Sequence, residues 1–211
     1  MDTEIVKFYA IPLAMGLGLS ACAGLRAWIP LLIVSLLSHF ELISLNEKMA
    51  FLGSIQFIWV CGFATVIELA GDKLPWLDNA LDVIGSVLRP ASGIILAAAV
   101  FTNSDPIVIA VAGIIGGSTA LTVSAGKTAG RTVVSSLMPF HGGIGNIAIS
   151  FVEDAISIFG SILGVLFPIF AILFFAVMLW VSIKVFKLSI KCGTSIWSWF
   201  FGSKQAAADA E

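Results

Sequence analysis

ELAGDKLPWLDNALDVIGSVLRPASG, residues Glu68 to Gly93, is the stretch from which the fold is read. It carries Glu68, Asp72, Lys73, Asp78, Asp82 and Arg89, six of the 24 charged residues (11 basic and 13 acidic) of an otherwise apolar chain. Part of it returns later. LDNALDVIGSVL (Leu77 to Leu88) aligns without a gap on VEDAISIFGSIL (Val152 to Leu163), placing Asp78 on Glu153, Asn79 on Asp154 and Gly85 on Gly160. Two acid-bearing copies of one segment point to an internal repeat. Charges set in apolar surroundings point to a site.

The remaining composition says what solvent those charges sit in. Of 211 residues, 59% are hydrophobic and 11% charged, and the mean hydropathy is +1.06. A soluble domain carries roughly 25% charge, so this chain needs lipid as its solvent. The apolar runs are continuous rather than alternating, which selects helices over a β-barrel. The reading is an all-α, polytopic helical membrane protein of about 5–7 membrane segments, with broken or re-entrant helices and a degenerate internal repeat. It forms one transmembrane domain over residues 1–211, with repeat halves 8–101 and 106–187 and a tail, 203–211, expected to lack structure. The partner implied throughout is the lipid bilayer.

Several classes fall away. A net charge of −2 argues against nucleic acid as a partner. Cys22, Cys61 and Cys192 have no metal-ligand spacing and read as small apolar residues. His39 and His141 lack an HExxH or a Cys/His partner. No nucleophile elbow surrounds any serine. No metal, cofactor or catalytic residue is expected, and the chain is read as a non-enzyme. The first residues, MDTEIVKF, lack a basic leader, so the first apolar run is expected to stay in the membrane.

Along the chain, residues 8–40 are too long for one straight span, and Pro30 predicts a break between Gly24 and Pro30. Residues 50–70 form a span that ends near Glu68. Lys73-Leu74-Pro75 stops it, and Asp78 or Asn79 is positioned to cap the next helix. Pro90 is expected to end that helix at Arg89, leaving a short amphipathic piece, interfacial or re-entrant, followed by a short span to Phe101. Residues 107–138 repeat the design of the first run, with Lys127 and Arg131 on one face. PFHGGIGN (Pro139 to Asn146) reads as a flexible break. Residues 147–187 read as two segments that bend among Gly160, Gly164 and Pro168. Lys184, Lys187, Lys191 and Lys204 place the C-terminus in the cytoplasm by the positive-inside rule, with the bacterial inner membrane as the expected location. Small-residue faces, Ala14/Gly18/Cys22 and the pairs Gly113/Gly117 and Gly126/Gly130, allow close packing and offer a surface for a homo-oligomer.

The repeat is irregular. Its basic marks, Gly24-Leu25-Arg26 and Ala125-Gly126-Lys127, lie 101 residues apart, and its acidic marks 75. The second half is short by about one span, so it has lost a helix or one segment is re-entrant, and its orientation stays open.

The segments GLGLSACAGLRAWIPLL (Gly16 to Leu32), ELAGDKLPWLDNALD (Glu68 to Asp82), VLRPASG (Val87 to Gly93), the Gly116 to Arg131 stretch and SFVEDAIS (Ser150 to Ser157) resemble the bacterial membrane family called domain of unknown function 4126. The resemblance covers roughly residues 10–185. It implies a small polytopic membrane protein and brings no activity or substrate with it.

Three functions are weighed, of which the third, an intramembrane enzyme acting on lipid, is permitted by the carboxylates and His141 but has no nucleophile or metal constellation to support it. In a small transporter or channel, Arg26, Lys127 and Arg131 hold the negative group of an ion, organic anion or lipid head group. Asp78, Asp82, Glu153 and Asp154 then take protons or a cation. Glu68, Asp72, Lys73, Pro75, Arg89 and Pro90 serve as ion pairs or helix breaks. In the alternative, a membrane scaffold or assembly component, all of these charges are structural. The sharpest expectation is that the two acidic copies approach each other near Arg26 and Lys127.

Overall fold

The computed structural model describes residues 6–71, 75–102, 104–137 and 142–208, with side chains described for 8–71, 81–102, 104–134 and 147–191. Among these residues every regular element is helical. A π-helical turn, Val6–Ala10, leads into α1 (Ile11–Leu25) and α2 (Trp28–His39). A 3₁₀ turn, Glu47–Gly53, precedes α3 (Ile55–Gly71), and then follow α4 (Pro75–Ala99), α5 (Pro106–Leu137), α6 (Gly142–Leu166) and α7 (Pro168–Ala208). Five helical stretches are long and apolar enough to cross a bilayer: α1 together with the π-helical turn before it, and α4 to α7. The 3₁₀ turn and α3 together make a sixth candidate, bent by 62°. The all-α polytopic membrane architecture read from composition is therefore the one observed.

Prolines set the helix starts. Pro75, Pro106 and Pro168 are each the first residue of a helix, where the missing N–H would have had no intrahelical partner. Pro30 is the third residue of α2, so it belongs to a first turn, and the break falls just upstream. There Arg26 is extended (φ −137°, ψ 119°).

Packing fixes the directions. Gly16 faces Ala97 and Ser20 donates to the Gly93 carbonyl at 3.0 Å, so α4 runs antiparallel to α1. Ser157 donates to the Cys22 carbonyl at 3.4 Å, and Arg26 reaches Ser150, so α6 is antiparallel to α1 as well. Gly116 lies against Ser20 and Gly24 against Ala120, and Gly18 meets Ala171 while Gly126 meets Ser182, so α5 and α7 run with α1. The helix α2 turns back. Its start lies by Glu68 and its end by Gly53, so it is antiparallel to α3. Asn46, just beyond it, donates to the Phe101 carbonyl at 2.7 Å and its amide to the Ala99 carbonyl at 2.8 Å. That is the level at which α1 begins, because Tyr9 and Leu13 border a cavity with Phe101 and Ile107. The chain thus enters along α1, reverses at Arg26–Ala27 and returns to the face it came from.

Outward-facing apolar residues form the lipid belt: Trp59 and Phe63 on α3, Val83 and Val87 on α4, Ile107 and Ile114 on α5, Phe151 and Phe159 on α6, and Ile169 and Leu173 on α7. The core lies around α1, where Leu19, Ala23, Leu31, Val34, Cys61, Leu96 and Val100 pack together. The small-residue faces offered to a second copy are filled by helices of the same chain. Gly117 meets Ile94, Gly126 meets Ser182, and Gly18 meets Ala171.

Some expectations are corrected. Pro90 does not end a short helix at Arg89, because α4 runs unbroken from Pro75 to Ala99 with Pro90 inside it. Ending a helix in lipid exposes up to four amides and four carbonyls, whereas continuing through a proline forfeits one hydrogen bond and a steric adjustment. The same helix starts at Pro75, ahead of the caps expected at Asp78 or Asn79. The break expected over Pro139–Asn146 is shorter, since α6 begins at Gly142. The bend in the last apolar run comes at Phe167–Pro168, with Gly160 and Gly164 inside α6. The helix α7 runs to Ala208, through most of the stretch 203–211 expected to lack structure. Asp72 and Lys73 lie outside the described residues, as do the side chains of Pro75 and Asp78.

Candidate functional site

The reversal at Arg26–Ala27 leaves two helix ends facing each other inside the protein. The carbonyl end of α1 carries a partial negative charge and the amide end of α2 a partial positive one. Each meets a side chain of opposite charge from another helix. Lys127 Nζ donates to the Leu25 carbonyl at 2.9 Å. Glu68 accepts from the Ala27 amide at 3.2 Å and from the Trp28 amide at 3.3 Å, one on each carboxylate oxygen. Glu68, expected as a helix-end ion pair, is thus the cap of the returning helix.

Arg26 itself is fully buried. Its Nε lies 2.7 Å from Asp154 Oδ1, and Nη2 donates to Ser150 Oγ at 2.6 Å. Ser150 and Asp154 are one helical turn apart on α6, so they present one face to the guanidinium. The adjacent acid, Glu153, points to other partners. Its Oε2 takes Lys127 Nζ at 3.0 Å and Arg131 Nη2 at 3.1 Å. Lys127 and Arg131 are also one turn apart, on α5, and close on the carboxylate like a clamp. Arg131 Nη1 reaches Asp82 Oδ2 at 3.8 Å. Asp82 Oδ1 accepts from Arg89 Nη2 at 3.1 Å, and Arg89 Nη1 donates to Ser124 Oγ at 3.2 Å. The charges alternate along one chain, Lys127–Glu153–Arg131–Asp82–Arg89, and Arg26–Asp154 lies alongside it.

Burial decides what this arrangement means. Arg26, Arg89, Lys127, Arg131, Glu68, Glu153 and Asp154 are all buried, at helical levels where Val83, Val87, Phe151 and Val152 face lipid. An isolated charge there is too costly to keep, so each is matched by an opposite charge or, for Glu68, by the amide end of α2. Four cations, Arg26, Arg89, Lys127 and Arg131, stand against four carboxylates, Glu68, Asp82, Glu153 and Asp154, and the described cluster is neutral.

Two cavities flank the break. One, of about 240 Å³, is bordered by Ala27, Trp28, Glu68, Ile84, Gly85 and Arg89. The other, of about 210 Å³, is bordered by Leu25, Lys127, Arg131, Glu153, Met178 and Ser182. Among the described residues no group of three or more His, Cys, Asp or Glu side chains is placed to hold a metal ion. His39 Nδ1 lies 3.0 Å from the Gly53 carbonyl, and His141 lies outside the described residues.

The two acidic copies do meet. Asp82 from the first and Glu153 from the second share Arg131, while the side chain of Asp78 lies outside the described residues. The three cations read as a binding set do not form one open cluster: Arg26 faces Asp154, and Lys127 and Arg131 close on Glu153. Ser150, Ser124 and Gly85 escaped the sequence reading. A serine or glycine in an apolar helix looks like packing. The available signals were the four-residue spacing Ser150–Asp154 and the same spacing Gly85–Arg89, each of which places a small group beside a charge.

Comparisons with curated proteins and with solved structures found no match. The family model described as "Domain of unknown function (DUF4126)" matches residues 13–187, which covers the break, both cavities and every charged residue of the cluster, and the chain belongs to that family.

Proposed function

We propose that this protein is a small integral membrane transporter or channel-like protein, coupled to protons or a cation, for a small ion, an organic anion or a lipid head group. The observation that carries the reading is the helix reversal at Arg26–Ala27. Both of its exposed ends are held by side chains from other helices, and a cavity lies on each side. Discontinuous helices with polar ends turned to a cavity are what transport folds use to bind ions at depth. Here Lys127 and Glu68 occupy those ends. A solute anion competes with Glu153 for Lys127 and Arg131, and protonation of Glu153 or Asp82 releases the cations to it. The three lysines Lys184, Lys187 and Lys191, on the C-terminal helix α7, orient the C-terminus to the cytoplasm, and a bacterial inner membrane fits this reading. The protein is read as a non-enzyme.

Reconstitution in liposomes tests the proposal. Arg26→Ala and Glu153→Gln are each expected to retain the monodisperse elution of the wild type in detergent while losing flux of a coupled solute or of protons. Folded variants with unchanged flux of every ion and solute tested would refute it. A second reading, a membrane scaffold, draws on the ion pairs that join most of the cluster. It expects neither variant to insert stably.

A further inference from the structure

The cavity between α3 and α4 differs from the one beside Glu153. Its two charged residues have opposite signs and belong to different helices: Glu68 on α3 and Arg89 on α4. Neither is spent on the other. Glu68 uses one lone pair of each oxygen to cap α2, and a carboxylate has about four acceptor sites. Arg89 has five N–H donors. It places Nη1 on Ser124 and Nη2 on Asp82, while its Nε is buried with no hydrogen-bond partner among the described residues. The guanidinium lies against Gly85, where a Cβ would stand 2.9 Å from Nη2 and 3.0 Å from Cζ. Glycine at this position is what lets the guanidinium rest there.

The mouth of this cavity opens to the bilayer. Ile67 and Ile84 border it and both are exposed in the lipid belt. Ala64, Ile67 and Glu68 lie within seven residues of the end of α3 at Gly71, so the cavity sits within about 10 Å of the helix end, at 1.5 Å per residue. On α4 it extends to Arg89, the ninth of the 19 residues of the span Leu81–Ala99, so it runs inward from head-group level. A volume of about 240 Å³ is many times the ~10–15 Å³ that holds one water, enough for a head group while the acyl chains stay outside. Trp28 also borders it and presents an aromatic surface to a cation.

We infer that this cavity is a lateral binding site for a zwitterionic, amine-bearing phospholipid head group, with the phosphate on Arg89 and the ammonium between Glu68 and Trp28. A primary ammonium suits the site because it offers N–H donors to the spare lone pairs of Glu68. The inference rests on the transport reading only in making the bound lipid a substrate, and the binding experiment stands without it.

The test uses the full chain, delipidated in detergent and titrated by native mass spectrometry with phosphatidylethanolamine or phosphatidylglycerol of identical acyl chains. The wild type is expected to bind phosphatidylethanolamine more tightly. Arg89→Gln is expected to weaken both lipids by about ten-fold or more, as for loss of a charge-assisted hydrogen bond. Gly85→Ala keeps every charge but displaces the guanidinium, and is expected to weaken both as well, so the result does not hang on one variant's folding. Glu68→Gln keeps a carbonyl to cap α2 and is expected to abolish the preference between the two lipids. Equal binding of both lipids by the wild type, or unchanged binding by both Arg89→Gln and Gly85→Ala, would overturn the inference. Glycerophosphoethanolamine separates the sources. If it binds as tightly as the intact lipid, the site takes a soluble zwitterion and the lipid assignment fails. Lipid binding without flux would sink the transport proposal alone, and flux without a lipid preference would sink the head-group site alone.

Discussion

Arg26→Met is the most informative single change to the charged cluster. It keeps an unbranched side chain of similar length in a fully buried position, removes the 2.7 Å pair with Asp154 and takes a donor from Ser150. The serine hydroxyl can turn to its own preceding helical turn, so the main loss is the buried ion pair with Asp154. Breaking a buried pair from one side costs about 3–5 kcal/mol. For a chain of this size each kcal/mol moves the melting temperature by about 2–4 °C. The variant is therefore expected to melt about 6–20 °C below the wild type in a thermal unfolding assay in mild detergent. Arg26→Met/Asp154→Leu removes both charges, and apolar replacement of a buried pair is often close to neutral, so the double variant is expected to recover more than half of that loss. Two results refute the reasoning: a drop of less than about 2 °C for Arg26→Met, well short of the cost of a broken buried ion pair, or a double variant no more stable than the single one. Either would mean that Asp154 is held by something other than Arg26.

Other expectations follow from the same geometry. Glu68→Ala removes the acceptor for two amides at the start of α2 and is expected to cost about 1–2 kcal/mol in the same assay, with Glu68→Gln costing less. Gly24→Ala places a Cβ 2.6 Å from the Ala120 carbonyl oxygen and is expected to destabilise by about 1–3 kcal/mol. Gly62→Ala meets nothing within 4 Å and is expected to stabilise by about 0.5–1 kcal/mol through helix propensity; a reversed order would show that the α1–α5 approach is not as close as described. Single cysteines at Ser44 and Asp105 are expected to react with an impermeant thiol reagent from one side of sealed vesicles, and a cysteine at Lys187 from the other, because α2 returns to the face where α1 begins. Labelling of Ser44 together with Lys187 would show that α2 crosses instead.

Physics explains which features could be read before any coordinates. The helical membrane class follows from the solvent the composition demands, and the break before Pro30 follows from a missing amide. The pairing of acids with bases follows from the cost of burying either alone. Pro90 misled because the rule that proline ends helices holds in water, where freed carbonyls are solvated. In lipid the same carbonyls have no partner, and α4 continues through it. The reversal of α2 was illegible for a different reason. Residues 28–39 are apolar whichever way they run, and their direction is set by contacts distant in sequence, such as Asn46 on the Phe101 carbonyl. Glu68 looked like a charge at a helix end because the helix end it caps belongs to another element.

The irregular repeat now has a structural account. Its basic marks lie on α1 and α5, which run in one direction, and its acidic marks on α4 and α6, which both run in the other. The matched segments are therefore parallel in orientation. In the second half the chain passes from α5 to α6 through a short connection, Leu137 to Gly142. In the first half the same passage, from α1 to α4, is interrupted by α2 and α3. These two helices leave the break, reach the opposite face and come back, so the excursion preserves direction while lengthening the chain. The excursion, Trp28–Gly71, is longer than the 26 residues by which the first half exceeds the second between its marks, and the longer stretches of α5 and α6 between the second pair of marks offset the rest. It also accounts for the reversal at Arg26. An unbroken α5 carries Lys127 at the matching position, whereas α1 must end there to admit the excursion, and its exposed carbonyl is the group that Lys127 binds. The basic residue at the matching position of α5 closes the end of α1 at the break, and Glu68, near the end of α3, closes the opposite end. The cluster is thus where the two matched segments and the pair of helices between them are joined, which is why the buried charge of the described residues collects there.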